Sequence, residues 1–577
     1  MFHEWHKACI TQRVMKLTKV LLLATTLAGC AFAQGSRLSP EFGNTNSGGP
    51  VDVIIRYKTD PSDDPNDAHH QNVMHHGGKY KATHHIIRGA SYRINANRLA
   101  ELANDPDVEF ISPDHVLRST SNALDYFRET VGSDVATAAG WNGAGIGVAV
   151  IDSGVTANAD FAAPVYQKSF VNGDATTADA YGHGTHVAGI VAGKGTNSSG
   201  SYAKYTFGGG TKGASIINLR ALDANGGGTD SSVIAAIQEA INKKATYNIR
   251  VINLSLGRPV TQSYVNDPLC QAVEAAWNAG IVVVVAAGNE GRNNSVGNNG
   301  YGTIMAPAND PYVITVGAMR TLLTATRNDD LVTSYSSKGP TLIDHIVKPD
   351  IMAPGNLTIS VEAAGSTLSN TYPNNSIWAG LYINGGSGHP HNYFVLSGTS
   401  MATPVVSAAA AALLQKTPSL TPDLVKARLM KTASKTFPVS SVAIDPTTLT
   451  SYTSYYDVFT IGAGYLDTSA ALADNSTGSG TAMSPTAVFN STTNTATMTV
   501  NGSSVIWGTN VIWGTNVIWG TSAFVGGTNV IWGTSVIWGT MTTAANSVIW
   551  GTTTASASNV IWGTNTTSAL TSVLGDQ

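Results

Sequence analysis

Three short segments, far apart in the chain, hold residues capable of nucleophilic chemistry. They are Val148-Ala149-Val150-Ile151-Asp152-Ser153-Gly154, His183-Gly184-Thr185-His186-Val187-Ala188-Gly189 and Gly398-Thr399-Ser400-Met401-Ala402-Thr403-Pro404. A serine hydroxyl is a weak nucleophile at neutral pH until a base within hydrogen-bond reach takes its proton. Imidazole suits that task because its pKa lies near neutrality. A buried carboxylate then fixes the imidazole tautomer and steadies the imidazolium as it forms. Asp152, His183 and Ser400 supply these three groups in that order. Singly, each has a plainer reading as a turn Asp, a structural His or a helix-capping Ser. Only the three motifs together point to acyl transfer.

The surrounding patterns predict elements that could position them. Val148 to Ile151 is a continuous apolar run, which reads as a buried parallel strand with Asp152 at its carboxyl end. Ligand sites in open α/β sheets lie outside such strand ends. His183 and Ser400 each open an Ala- and Gly-rich helix, apolar on every side and therefore expected inside the core. Pro404 is expected in the first turn of its helix, where a missing N–H costs nothing. That helix start would also present backbone N–H groups near Ser400, where an oxyanion would develop. A further buried strand, Ile281 to Ala286, runs into Ala287-Gly288-Asn289.

These motifs resemble the subtilisin-like serine proteases over residues 125–474, and the Asp-His-Ser order is that of this family. The resemblance implies an α/β fold of three layers around a central, mostly parallel sheet. It implies that Ser400 is the nucleophile, His183 the base and Asp152 its orienting acid, with the Asn289 amide donating to the oxyanion. It further implies that Val251 to Gly257, through Ser255, Leu256 and Gly257, forms one wall of the first specificity pocket. Gly226, Gly227 and Gly228 match the facing strand, and Ala287 with Gly288 the pocket floor. An extended peptide would bind between the two strands by backbone pairing. No charge falls on these walls, which predicts an apolar or broad preference. The chemistry needs no cofactor; calcium braces loops in this family, and no motif here matches such a site. A hydrolase of the other Ser-Asp-His type would need Gly-x-Ser-x-Gly, which the context of Ser400 lacks.

The flanks carry separate instructions. Residues 1–33 read as an N-terminal extension and secretory signal, with basic Met15 to Lys19 before apolar Val20 to Leu27. Two exits compete: Ala31-Phe32-Ala33 for ordinary cleavage, and Leu27-Ala28-Gly29-Cys30 for a lipid-bearing Cys30 that would tether the enzyme to the cell envelope. Soluble export would leave Cys270 as the lone thiol, expected to be buried in a helix. Residues 51–118 show a β-α-β-β-α-β pattern like a small ferredoxin-like α+β domain. This resembles the inhibitory pro-segment of the family, whose tail here would be Leu117 to Asn122. Seven of the 14 histidines lie in this unit, which suggests that acid loosens it from the catalytic domain.

From residue 481 to 577 the chain turns Ser-, Thr- and Asn-rich, with Asp576 its only charge. Val-Ile-Trp-Gly-Thr recurs seven times there, mostly at intervals of six or twelve. An even period keeps one strand face constant, so the tail reads as a β-solenoid, a stack of hairpins or a disordered repeat. Its readings are a structural stack, an aromatic platform for cell-surface glycans, or self-association. The net charge of −4 and the 12% charged fraction argue against nucleic acid as a partner. The whole reads as a secreted or tethered serine endopeptidase made as a zymogen, acting on protein or peptide substrates. The rival is a surface structural protein whose protease serves only its own maturation.

Overall fold

Alternating runs of β-branched residues and helices over residues 147–354 build a single large sheet. The computed structural model describes residues 37–39, 42, 49–114 and 125–490, with small gaps at 161–162, 296, 446–447, 449 and 478–479. Beyond these it describes short strand segments and Asp576. Residues 1–119 and 120–577 are two compact units. The signal at 1–33, the expected pro-segment tail at 117–122 and most of the tryptophan repeats lie outside the described residues.

The first unit is a four-stranded antiparallel sheet: β1 (Pro50–Tyr57), β2 (Lys79–His84), β3 (Gly89–Asn95) and β4 (Val108–Pro113), in the order β2-β3-β1-β4. Helices α1 (Ala68–His75) and α2 (Leu99–Leu102) bring Val73, Leu99 and Leu102 onto its apolar face, against Val53, Ile55 and Tyr92.

The second unit holds strands β5 (Gly147–Asp152), β6 (Tyr166–Ser169), β7 (Ser215–Arg220), β9 (Ile249–Leu254), β10 (Val282–Ala286), β11 (Ile314–Arg320), β12 (Leu331–Val332) and β13 (Ile351–Pro354). A two-residue strand, β8 (Gly227–Gly228), stands outside this sheet. The sheet order is β12-β11-β10-β9-β5-β7-β6, with β13 also on β11, and all pairings except that of β12 are parallel. After β5 the chain builds one flank and then crosses to the other. The crevice of such a reversal opens at the carboxyl ends of β5 and β9.

Two helices cross the core, as their all-round apolar composition requires. Every residue of α3 (His183–Ala192) is buried, and so is α6 (Thr399–Lys416) from Thr399 to Leu414. The outer helices α4 (Asp230–Tyr247) and α5 (Pro268–Asn278) are amphipathic and capped by Thr229 and Asp267. Cys270 is buried in α5, its thiol 3.3 Å from Asn309 Oδ1.

Pro404 departs from expectation. It lies at the sixth residue of α6, beyond the first turn. Its missing N–H therefore leaves a carbonyl free, that of Ser400 four residues back. The packed unit also runs past residue 474. Ala482, Ser484 and Ala487 are buried, and the Ser484 hydroxyl lies 2.5 Å from Asp350 Oδ1. The described strands of the repeat tail pair antiparallel, Ile506–Trp507 with Asn510–Val511 and Val517–Trp519 with Val530–Trp532. Hairpins do this, whereas solenoid rungs would pair in parallel.

Several histidines of the first unit are already engaged within it. His69 Nδ1 lies 2.5 Å from Asp67 and its Nε2 2.6 Å from Asp107. Burial opposes its charge, but the two carboxylates outweigh burial and hold its pKa above 6.5. A folded pKa above the unfolded one means stability that is complete below the unfolded value and is lost as pH rises through the folded value. The charging of His69 thus strengthens this unit's own fold, a separate matter from the release from the catalytic domain expected from composition. In full-length Ser400→Ala protein, amide protection of residues 49–114 should fall as pH rises from 6 to 8. His69→Gln should flatten that dependence.

Candidate active site

Asp152 ends β5, and His183 begins α3 directly above it. His183 Nδ1 meets Asp152 Oδ1 at 2.8 Å, with both side chains buried. The same oxygen accepts the Ser153 N–H at 2.7 Å. With Nδ1 committed to the carboxylate, proton transfer falls to Nε2. Burial disfavours the charged ring, yet Asp152, with Asp179 behind it, raises the His183 pKa above its ordinary 6.5.

A second carboxylate, passed over in the sequence, locks this corner. Asp179 Oδ1 accepts from Ser153 Oγ at 2.8 Å and from Gly182 N at 2.7 Å, while Oδ2 accepts from Thr185 N at 2.7 Å. It thereby caps α3, and negative charge at a helix N-terminus is favourable. Gly184 permits the close approach: a Cβ there would come within 2.2 Å of Gly154 O. His186, one turn on, is a different histidine. Its Nε2 sits between the carbonyls of Thr358 and Phe394, and burial pushes its pKa down to about 3, so it stays neutral.

Ser400 is the second residue of α6, which packs against α3 and lies across β9, β10 and β11. Its Oγ donates to the Ser255 carbonyl at 3.3 Å. The Ser400 carbonyl freed by Pro404 is taken by Ser255 Oγ at 2.8 Å. Ser255 Oγ in turn accepts from Asn253 Nδ2 at 2.9 Å, and Asn253 Oδ1 accepts from Ser407 Oγ at 2.8 Å. This fully buried relay ties the helix to β9 and the residue after it at two points about two turns apart. Sequence reading named Ser255 but not Asn253 or Ser407.

Asn289, beyond β10, is fixed by its oxygen. Oδ1 accepts from Thr399 N at 2.9 Å and from Thr399 Oγ1 at 3.1 Å. This leaves Nδ2 buried with no hydrogen-bond partner. A point one bond out from the Gly398 Cα, where a Cβ would stand, lies 3.3 Å from Asn289 Nδ2 and 3.6 Å from Ser400 N. Two donors thus face one small space beside the serine. Gly398 itself has φ 155° and ψ 161°, a region open essentially to glycine alone.

Ser255, Leu256 and Gly257, which follow β9, and Ala287 and Gly288, which follow β10, are all buried; Ser255 Oγ bonds the Ser400 carbonyl, and the Gly288 N–H donates to Thr399 Oγ1 at 3.2 Å. Between them lies Met305, which no sequence motif singled out. Cβ atoms built on Gly288 and Gly257 would stand 3.1 Å and 3.6 Å from its sulfur. Gly226 turns the chain at φ 76°, and Gly227–Gly228 form the short strand β8. A cavity of about 620 Å³ opens beside it, lined by Phe170, Asp223, Gly228 and Ser232 among others.

Among the described residues, no group of three or more His, Cys, Asp and Glu side chains gathers to hold a metal. The most suggestive carboxylate is Asp160, buried with an unpartnered Oδ2. Around it stand the Asn197 N–H at 2.7 Å, the Tyr393 hydroxyl and Lys212, which are donors rather than cation ligands.

Sequence comparison agrees with this geometry. The subtilase family model matches residues 143–480. Serine protease AprX of Bacillus subtilis is 38% identical over 294 residues, which are 49% of this chain and 60% of that protein. Subtilisin E of the same species is 32% identical over 362 residues, 63% of this chain and 79% of that protein. An extracellular serine proteinase of a Thermus species is 32% identical over 60% of this chain and 70% of its own. The chain belongs to the subtilase family of serine-type endopeptidases.

Proposed function

We propose that this protein hydrolyses peptide bonds through an acyl-enzyme on Ser400. The observation that carries the reading is the buried 2.8 Å contact between Asp152 and His183 Nδ1, which assigns Nε2 as the base. Ser400 Oγ turns from the Ser255 carbonyl, gives its proton to His183 and attacks the scissile carbonyl. The carbonyl oxygen becomes an anion in the space flanked by Asn289 Nδ2 and Ser400 N. There an amide already aimed and already dehydrated stabilises charge without reorganising. The imidazolium, steadied by Asp152, returns its proton to the leaving amine, and water repeats the cycle to release the acid.

Substrate backbone lies between Ser255–Gly257 and Gly226–Gly228, and the side chain before the scissile bond enters the slot that ends on Met305. The uncharged lining supports an apolar preference, and Met305 shortens the slot. The secretory pattern at residues 15–33, together with the extracellular relative, supports export, either free or tethered through Cys30. The unit at 51–118 supports a zymogen in which this segment acts as inhibitor of the cleft.

Ser400→Ala should remove about six orders of magnitude of kcat on a peptide anilide. Asn289→Ala should lower kcat about 10²–10³-fold with KM little changed; equal loss from KM would reject the oxyanion role. Because His183 must be neutral to act and its pKa is raised, the acid limb of kcat/KM should have its midpoint above 6.5. Met305→Gly should deepen the slot and raise kcat/KM for Phe over Ala about tenfold or more, in line with a few buried methylenes.

A further inference from the structure

The repeat tail returns to the catalytic domain at two described places. The first is the strand Val560–Ile561, from the last Val-Ile-Trp-Gly-Thr copy, which pairs antiparallel with β8: Val560 opposite Gly228, and Ile561 opposite Gly227. The opposite side of this short strand is closed by its own turn, with Asp223 N donating to Gly227 O at 2.7 Å. The tail thus occupies the edge on which the proposed function seats substrate backbone.

The second place is Asp576, the tail's only charge, which is 2% exposed. Its carboxylate accepts from Arg292 at 2.6 Å, from Ser334 N at 2.5 Å and from Ser334 Oγ at 2.7 Å. Its backbone exchanges two hydrogen bonds with the Asn356 amide, at 2.7 and 3.0 Å. The Arg292 side chain is 9% exposed, held by Asp445 at 2.8 Å and stacked towards Tyr335 and Tyr452. A guanidinium, a hydroxyl and a backbone N–H converge on the carboxylate while the Asn356 amide holds the backbone. Each of the three is a donor suited to a carboxylate, and charge-assisted hydrogen bonds of this kind are the strong ones. The pocket is also close to the chemistry in sequence and in contact. Arg292 follows Asn289 by three residues, and Asn356 adjoins Gly355, whose carbonyl accepts the Gly398 N–H at 2.8 Å.

We propose that Arg292, Ser334 and Asn356 form a carboxylate-binding latch whose occupant is Asp576. By holding the tail's far end, the latch keeps the last repeat on β8 as a competitor, in the same chain, for substrate backbone. Fourteen residues lie between Ile561 and Asp576, so the two attachments belong to one short stretch of chain. Because the competitor is part of the same chain, its local concentration is high and even weak strand pairing suffices. A substrate that pairs along β8 must displace the repeat, whereas the Asp152, His183 and Ser400 geometry is unaffected. The latch therefore acts on KM and not on kcat. This inference rests on the assignment of β8 as a substrate edge.

The test uses the full chain with Asp576→Asn, which keeps shape and removes charge, and with Val560→Pro, which removes one strand N–H. In a Ser400→Ala background, both variants should speed deuterium exchange at Gly227 and Gly228 at least threefold; unchanged exchange overturns the docking, whatever the catalytic activity. In the active chain, both should lower KM for a tetrapeptide anilide at least threefold at constant kcat. An unchanged KM, or a fall in kcat alone, overturns the competition and would mark Asp576 as a brace for the Asn289 loop. If exchange rises while KM holds, the tail docks but β8 is not a substrate edge, which separates failure of this inference from failure of the peptidase reading.

Discussion

One carbonyl without a helical donor organises the catalytic centre. Pro404 cannot return a hydrogen bond to Ser400, and a buried carbonyl left unpaired costs about 1–3 kcal/mol. Ser255 Oγ meets that need, and its own lone pairs are met by Asn253, which is met in turn by Ser407. Each member satisfies the next, as a buried polar chain must if it is to rigidify rather than weaken a core. A helix lying across parallel strands on Ala, Val and Leu alone could slide or rotate with little penalty. This chain removes that freedom. It ties the backbone of Ser400 to the same segment proposed to wall the substrate slot, so attack geometry and substrate register would share a single reference.

The acid side of the site is organised by charge instead. Asp152 and Asp179 stand close together at the carboxyl end of β5, bridged by Ser153, and the N-terminus of α3 faces them. Two carboxylates there would repel were they not supplied with N–H donors from Ser153, Gly182 and Thr185 and with the imidazole of His183. Farther out, Asp350 receives both Lys348 at 2.7 Å and Lys426 at 3.2 Å, all three side chains fully buried. Burial pushes Lys426 down to about 7, and Ser484 completes the group. The segment that follows the last helix is thereby bonded into the fold, which explains why the domain does not end where its helical pattern does.

How much of this was legible depended on whether the information was local. Asp152, His183, Ser400 and Asn289 each lie within a short motif at the end of an apolar element, so residue type and neighbours announce them. The sheet and the two core helices were readable for the same reason, since Val-Ile runs and all-apolar Ala-Gly helices have few other uses. Pro404 was placed one turn too early because the helix begins at Thr399, a boundary set by the Asn289 contact and not by propensity. Asp179, Asn253, Met305 and Ser407 were invisible because each has an ordinary surface or core reading. Their meaning lies in partners such as Ser407 and Asn253, 154 residues apart. The histidines of the first unit show the same limit of composition. Composition counted them, but only position reveals that His69 already lies between two carboxylates.

The double attachment of the tail has an evolutionary consequence. Its start is bonded into the domain at Ser484 and Asp576 is bonded into it again, so the repeats lie between two anchored points of one chain. The entropy of closing a loop grows only with the logarithm of its length, about 0.6 kcal/mol for each doubling. Whole six-residue copies can therefore be gained or lost by replication slippage at almost no energetic penalty, provided that both ends survive. Copy number in such a tail would drift freely between lineages, while the charge at its far end and the arginine that receives it would be held together by selection.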